Sequence, residues 1–175
     1  MTQKHMATGL GVCAAVLVLG LTGRDISARP PLRLFCIERS KNANIACYDV
    51  SPRADGTLDS ESPVDTYWIM RAEDGRREEL TWFERRWAYG YRVVGKPRPD
   101  RIQVQLMALP SRRLTIERRG ASYPAMAVVN GRRSRLRRIY VHSVEGAVLP
   151  RVLYVDVWGT DLETKESTYE RLRND

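Results

Sequence analysis

Two cysteines, Cys36 and Cys47, stand where they could form a disulfide across a β-hairpin. They flank the polar turn 40–43, and pairing of Arg39 with Asn44 would place them directly opposite each other. The same register collects four apolar side chains on the other face: Phe35, Ile37, Ala46 and Tyr48. We expect a disulfide that contributes about 2 to 4 kcal/mol. A register shifted by one residue would leave two free thiols instead.

Nucleophilic catalysis would depend on His142, the only histidine after the first thirty residues. A hydrolase would need Ser143, or another serine brought close by the fold, to act with it, and no serine has the glycine pattern of a nucleophile elbow. We therefore expect an exposed or hydrogen-bonded histidine and assign no catalytic residue. Cys36, Cys47 and His142 also fall short of the four ligands of a structural zinc site, so the sequence predicts no metal and no cofactor.

Positive charge is concentrated in one part of the chain. Between positions 112 and 138, nine arginines stand against a single acidic residue, Glu117, whereas the whole chain has a formal net charge of +8. Guanidinium groups bind phosphate and carboxylate through paired hydrogen bonds, so this stretch predicts an anion-binding face. The nine residues are Arg112, Arg113, Arg118, Arg119, Arg132, Arg133, Arg135, Arg137 and Arg138.

The anion for this face could be a lipid headgroup, a phosphorylated glycan or an acidic protein. Nucleic acid is less expected, because Tyr123 is the only aromatic residue among these arginines on which a base could stack. A purely structural role carries equal weight, since arginines often cover the solvent face of strands and discourage edge pairing.

The polar turn between the cysteines is a second candidate site. Arg39, Ser40, Lys41, Asn42 and Asn44 could form a rim loop that contacts a ligand. The alternative is simple turn chemistry, in which such side chains hydrogen-bond to nearby backbone groups.

Residues 1–28 have the layout of a secretory signal. Lys4 gives a positive start, residues 6–21 carry no charge, and Ala28 offers a small residue for cleavage. The apolar run is short for a membrane-spanning helix. We expect a cleaved signal, with an uncleaved hydrophobic N-terminal helix as the alternative. Export to the periplasm or beyond would favour the disulfide and argue against nucleic acid as a partner.

Residues 29–175 are predicted to form one all-β, mainly antiparallel domain. Alternating or β-branched residues predict five strands: 102–108, 114–117, 123–129, 139–144 and 152–158. Asn130-Gly131 is the strongest hairpin turn, because both residues accept positive φ. Short strands joined by tight turns form a meander, which closes most simply as a barrel or a curled sandwich.

One segment breaks the β pattern. Thr81 and Glu84 have the spacing of a capping box, so a short helix is predicted over 82–88, with Gly90 ending it in a left-handed conformation. Three apolar side chains of this segment would share one face: Leu80, Phe83 and Trp87. The aromatic residues of this region favour a core over a ligand-binding cluster: Trp68, Trp82, Phe83, Trp87, Tyr89 and Tyr91.

Several short segments follow one another along the chain in a specific order and spacing: residues 35–44, Tyr67-Trp68-Ile69, Asp74-Gly75, Glu79-Leu80, Glu84-Arg85-Arg86, Ala88-Tyr89-Gly90, Asn130-Gly131 and residues 155–161. In these segments the chain resembles the DUF4833 family, a group of bacterial proteins of uncharacterised function. That family has no established activity, cofactor or catalytic residue, so the resemblance implies no mechanism. Cys36 and Cys47 are not part of its pattern, so a disulfide would be a local feature of this chain.

Three hypotheses for function follow from these residues. The leading one is a non-enzymatic exported module whose arginine-rich face binds an anionic envelope component or partner. The second is a lipocalin-like carrier of a small apolar ligand inside the barrel, which an interior filled by side chains would exclude. The third is a hydrolase built around His142. Membrane contact is expected only through residues 6–21, if these are retained.

Overall fold

The computed structural model describes residues 32–41, 43–144 and 151–173. The predicted signal segment and its hydrophobic helix lie outside this part of the chain. The described residues form one curled, half-barrel sheet of eleven strands with a single short helix. Within these residues, no helix has both the length and the apolar character needed to cross a bilayer.

The elements follow one another in this order: β1 (Leu32–Arg39), β2 (Ile45–Val50), β3 (Val64–Ile69), β4 (Arg77–Glu79), α1 (Trp82–Trp87), β5 (Tyr91–Arg98), β6 (Arg101–Leu106), β7 (Leu114–Glu117), β8 (Ala125–Val129), β9 (Arg132–Val144), β10 (Arg151–Asp161) and β11 (Ser167–Arg173). Each of the five predicted strands is present, although β6 ends at Leu106, β8 begins only at Ala125 and β9 begins earlier than predicted. Asn130 and Gly131 both have positive φ, 49° and 76°, and form the predicted turn between β8 and β9.

The sheet branches at β9. One edge of β9 pairs with β10 along most of its length. On the other edge, Arg132–Arg135 pair antiparallel with β8, whereas Ile139–Val141 pair parallel with β1. Residues 136–138 pair with neither β8 nor β1, so two wings, β1–β4 and β5–β8, diverge from this point. The predicted meander describes each wing, but not the parallel pairing that joins them.

The core lies between the two wings. Within the first wing, the ring of Phe35 on β1 stacks on that of Tyr48 on β2 with centroids 4.6 Å apart. The two wings meet through Tyr91 of β5, whose hydroxyl donates to the Val64 carbonyl of β3 at 2.8 Å. On β6, Ile102 and the alternate residues after it are buried, as the period-two pattern predicted.

The predicted β1–β2 register is confirmed. Cys36 pairs with Cys47, and the two are joined by a disulfide. The opposite face of the hairpin carries the four predicted core residues, all of them buried: Phe35, Ile37, Ala46 and Tyr48. The sulfurs therefore lie on the other face of the sheet, where Cys47 is buried with Ile45 and Tyr67 in a second, smaller apolar cluster.

Helix α1 forms where the capping box predicted it. The Thr81 hydroxyl accepts the Glu84 amide at 3.2 Å, and the Glu84 carboxylate accepts the Thr81 amide at 2.9 Å. The predicted left-handed Gly90 is wrong: Ala88 caps the helix, and Gly90 has no positive φ. Glycine is required there for another reason, because a Cβ would lie 1.8 Å from the Arg85 carbonyl oxygen.

The prediction that the aromatic residues around α1 belong to the core is correct only in part. Trp68 is buried, and Tyr89 and Tyr91 pack against the core, whereas the three aromatic residues of the helix itself are exposed: Trp82, Phe83 and Trp87. The physical reason is that α1 lies outside the sheet and buries none of its residues.

Candidate functional site

An open cleft of about 380 Å³ lies where the sheet branches. β1 pairs with β9 only from Ile37 onward, so residues 33–36 of β1 separate from residues 135–138 of β9 and leave a gap. The volume is within the range of small-molecule sites. Five arginines and one carboxylate line the cleft: Arg33, Arg71, Arg135, Arg137, Arg138 and Glu38.

The positive charge of this arginine cleft is only partly neutralised by the protein. Arg138 forms an ion pair with Glu38 at 2.6 Å. Arg71, Arg135 and Arg137 form no ion pair with any residue of the described ranges. Guanidinium groups that converge without a counter-charge repel one another, and a phosphate or carboxylate between them would relieve that repulsion while accepting paired hydrogen bonds.

One wall of the cleft is fixed by a cluster on the outer face of β1, β2 and β3. Arg33 forms an ion pair with the buried Asp49 and donates to the Tyr67 hydroxyl at 2.8 Å. Tyr67 in turn donates to Asp49 at 2.5 Å. The remaining terminal nitrogen of Arg33 lies 3.1 Å from each sulfur of the Cys36–Cys47 disulfide. We call Arg33, Asp49 and Tyr67 the first Arg–Asp–Tyr cluster.

The protonation states in this cluster are set by burial and by Asp49. Burial, with the hydrogen bond to Asp49, raises the pKa of Tyr67. Burial alone would lower the pKa of Arg33, but the bond to Asp49 and its charge outweigh that effect and raise it. Tyr67 therefore stays neutral and Arg33 stays cationic at physiological pH, so Arg33 keeps its ion pair with Asp49 at this wall of the cleft.

The nine arginines predicted as an anion-binding face divide into two groups. Five hydrogen-bond or ion-pair within the protein: Arg112 to Glu170, Arg118 to the carbonyls of Asp55 and Gly120, Arg119 to Glu117, Arg132 to Asp161 and Glu166, and Arg138 to Glu38. Four have no ion-pair partner among the described residues: Arg113, Arg133, Arg135 and Arg137. Three of the nine line the cleft: Arg135, Arg137 and Arg138.

Two cleft arginines lay outside that sequence prediction. Arg33 is on β1 and Arg71 follows β3, each far from the arginine-rich stretch in sequence. They join it only because β1 pairs with β9, for which no local sequence pattern is diagnostic. The one sequence signal that could have indicated Arg33 is its position three residues before Cys36 of the predicted disulfide.

The predicted rim loop is tied to neighbouring strands. The Ser40 hydroxyl donates to the Ser143 carbonyl and accepts the Ser143 amide, both at 3.0 Å. Asn44 is buried, and its side-chain oxygen accepts the Ala72 amide at 2.9 Å. These bonds are turn and sheet chemistry, and they favour the structural interpretation of Ser40 and Asn44.

The other loop residues have different surroundings. The guanidinium of Arg39 lies 4.6 Å from the ring centroid of Trp68 and 3.4 Å from the Tyr89 hydroxyl. Lys41 is exposed at the turn, and Asn42 lies outside the described residues. Arg39 therefore packs on aromatic rings at the end of the sheet that carries α1.

His142 does not form a catalytic pair with serine in the described part of the chain. Its ring stacks on that of Tyr154 with centroids 4.6 Å apart, and the neighbouring Ser143 backbone bonds to Ser40. No described serine hydroxyl hydrogen-bonds to His142, and no group of three described His, Cys, Asp or Glu side chains has metal-site geometry. The arrangement offers no nucleophile activated by this histidine.

A second Arg–Asp–Tyr cluster lies close to His142 on β10 and β11. Arg171 binds the buried Asp156 through two hydrogen bonds of 2.7 and 2.8 Å. The Tyr169 hydroxyl donates to the same carboxylate at 2.9 Å, and Arg171 lies 3.9 Å from the Tyr154 ring centroid. The hydrogen bonds from Arg171 hold the pKa of Asp156 below its usual value despite burial. Asp156 is therefore a fully bonded carboxylate, not a proton donor.

Comparison with known protein families shows which family the chain belongs to. A family model described as "Domain of unknown function (DUF4833)" matches residues 35–171. The chain belongs to the DUF4833 family. The DUF4833 match includes four of the cleft arginines, from Arg71 to Arg138, and begins just after Arg33. No curated protein and no solved structure matches the chain.

Proposed function

We propose that this DUF4833 domain is a non-enzymatic binding module whose arginine cleft holds an anionic group, phosphate or carboxylate, of an envelope component or partner. The observation that carries the proposal is the convergence of five arginines on one open cleft with a single carboxylate among them. Three of these arginines make no ion pair with a described residue, so they are available to a ligand. The ligand's negative charge would replace the missing counter-charge.

The chemistry of the cleft suits a phosphate-bearing or carboxylate-bearing ligand. Arginine offers planar, paired donors, and several arginines around one anion provide both affinity and orientation. Arg33 is held by Asp49 and Tyr67, so part of the cleft is preorganised and loses little side-chain entropy on binding. Electrostatic attraction also makes affinity fall as ionic strength rises.

The proposed place of action is outside the cytoplasm. The Cys36–Cys47 disulfide supports this location, because structural disulfides persist in oxidising compartments. The secretory pattern of residues 1–28 supports it independently. Fractionation of cells that express the native gene, with N-terminal sequencing of the recovered protein, tests it: a chain that begins after Ala28 is expected, and a cytoplasmic chain that begins at Met1 would contradict it.

No observation favours the alternative of a carrier with an internal ligand. The space between the wings at Leu34, Phe35 and Tyr48 admits no water molecule, because side chains of the opposite wing fill it. No observation favours a hydrolase either, since His142 stacks on Tyr154 and hydrogen-bonds to no described serine. We therefore propose that the ligand binds at the surface cleft.

Titration with inorganic pyrophosphate tests the proposal. Pyrophosphate is an anion of the expected kind, and it is small enough to enter the cleft. Calorimetry should detect binding that weakens with added salt. The double variant Arg135→Ala/Arg137→Ala removes two guanidinium groups that have no ion-pair partner among the described residues. It should lower affinity by at least about tenfold, since each charged hydrogen bond lost costs roughly 1.5 to 3 kcal/mol.

The matched control removes the same charge elsewhere. Arg53 and Arg98 are more than half exposed and pair weakly with Asp59 and Asp100 outside the cleft. The variant Arg53→Ala/Arg98→Ala should bind pyrophosphate nearly as well as the wild type. Equal losses in the two double variants would mean that affinity follows net charge alone, and the cleft would not be the site.

A further inference from the structure

Helix α1 keeps its aromatic side chains outside the core. Trp82, Phe83 and Trp87 are 74%, 50% and 58% exposed, and no residue of the helix is buried. A short helix on a globular domain normally turns its apolar residues toward the core. Three large exposed aromatic residues within one and a half turns are therefore typical of a surface that contacts another protein or a membrane.

Contacts that do not involve these three side chains hold α1 in place. Glu84 closes the capping box with Thr81 and also accepts the indole N–H of Trp68 at 3.1 Å. After the helix, the chain turns so tightly that Gly90 lies directly against the Arg85 carbonyl. The aromatic side chains are therefore presented by a fixed backbone, and changing them should leave the domain folded.

The charges that α1 presents to solvent are positive. Glu84, the only acidic residue of the helix, is bonded within the domain. Arg85 and Arg86 occupy the last turn. The guanidinium of Arg86 lies 5.0 Å from the Trp87 ring centroid, and Arg85 has only a long, exposed ion pair with Glu79 at 3.6 Å. Such a pair contributes little, so both arginines can turn to an outside anion.

Aromatic and cationic side chains on one exposed helix match the chemistry of a bilayer interface. Tryptophan is enriched at the headgroup level, where its apolar ring and its N–H are both accommodated. Arginine adds electrostatic attraction to the anionic headgroups near the membrane surface. A protein groove could cover the rings as well, but the adjacent Arg85 and Arg86 favour a surface of phosphates.

We propose that α1 docks on the interfacial layer of an anionic lipid bilayer. Trp82, Phe83 and Trp87 enter the headgroup region, and Arg85 and Arg86 pair with lipid phosphates. Burial of the rings supplies affinity, and the two arginines supply the preference for anionic lipid. This contact uses none of the arginines of the cleft, so it can hold or fail independently of pyrophosphate binding there.

The experiment must report on α1 itself, because residues 6–21 are apolar enough to attach the full chain to vesicles. Tryptophan fluorescence of the full chain is measured with lipids brominated near the headgroup, in vesicles of phosphatidylcholine alone or with an equal part of phosphatidylglycerol. Quenching is expected, and it should be stronger with phosphatidylglycerol. The variant Trp82→Phe/Trp87→Phe keeps apolar rings but should lose most of the quenching, leaving only the signal of Trp68 and Trp158.

Two further variants complete the test. Arg85→Ala/Arg86→Ala should remove the preference for phosphatidylglycerol, whereas the cleft variant Arg135→Ala/Arg137→Ala should keep the quenching of the wild type. Equal quenching in the wild type and the Trp82→Phe/Trp87→Phe variant would overturn the proposal. Protection of these two indoles from soluble acrylamide without lipid would also overturn it, because the chain itself, or a second copy, would then cover α1.

Discussion

The two Arg–Asp–Tyr clusters use the same residue types in different ways. In the second cluster, Asp156 receives both hydrogen bonds of Arg171, whose guanidinium also lies against Tyr154. In the first cluster, Arg33 gives Asp49 only its Nε and directs its two terminal nitrogens elsewhere, one toward Tyr67 and one toward the sulfurs.

The difference between them lies in what surrounds each arginine. Arg171 makes a paired contact with its own carboxylate and lies outside the cleft, so we expect the second cluster to stabilise the β10–β11 pair rather than to bind a ligand. Arg33 lines an open cleft with four other arginines. A buried ion pair can therefore be a structural element or the fixed wall of a binding site, depending on whether further unpaired charge converges on it.

The largest expected effect comes from the disulfide, which only the first cluster has. Cys36→Ala/Cys47→Ala should lower the free energy of unfolding by about 2 to 3 kcal/mol, because the unfolded chain loses a constraint across a separation of 11 residues. Urea unfolding measures this, and the wild type with its disulfide reduced should show a similar loss. An unchanged midpoint would mean that the hairpin needs no covalent link.

The two carboxylates should respond differently when each is made neutral. Asp49→Asn and Asp156→Asn should each cost about 1 to 2 kcal/mol of stability, because each leaves an arginine without its counter-charge. In calorimetry, only Asp49→Asn should also tighten pyrophosphate binding, by a few-fold, since it removes negative charge beside the cleft. A similar gain in Asp156→Asn would show that the two clusters do not differ in this way.

Acid should weaken the second cluster in a definite direction. The folded-state pKa of Asp156 lies below its unfolded value. Its contribution to the free energy of unfolding is therefore complete above about pH 3.9 and is lost as the pH falls through the folded-state pKa. The free energy of unfolding, measured from pH 6 downward, should fall in this acidic range. The fall should be shallower in Asp156→Asn, and parallel curves for the two proteins would contradict the assignment.

The tyrosines should give the smallest effects. Tyr67 is buried and bridges Arg33 and Asp49, so Tyr67→Phe should cost about 1 kcal/mol. Tyr169 is exposed, so Tyr169→Phe should cost only a few tenths of that amount in thermal or urea unfolding. The reverse order would mean that the Tyr67 hydroxyl is no more important than a surface group.

The sequence was informative where the structure depends on neighbouring residues. The Cys36–Cys47 register follows from one turn and one alternating pattern, and the capping box at Thr81 and Glu84 is complete within four residues. Asn130-Gly131 was likewise sufficient to predict its hairpin.

The arginine cleft could not be predicted in this way. It exists because β1 pairs parallel with β9, so that Arg33 and Arg71 meet Arg135 and Arg137. No local pattern encodes a pairing between segments so far apart. The exposure of Trp82 and Trp87 was missed for a related reason: apolar spacing shows that residues share a face, but not that the sheet leaves that face uncovered.

The most direct test of the cleft as the binding site is to follow the arginine Nε–H signals by NMR in ¹⁵N-labelled protein as pyrophosphate is added. The signals of Arg33 and Arg137, and the backbone amides of residues 135–138, should shift with one common saturation curve. The Arg171 signal should stay in place, because Arg171 is paired with Asp156 and lies outside the cleft. Shifts at Arg171 equal to those at Arg33, or none in residues 135–138, would contradict the account.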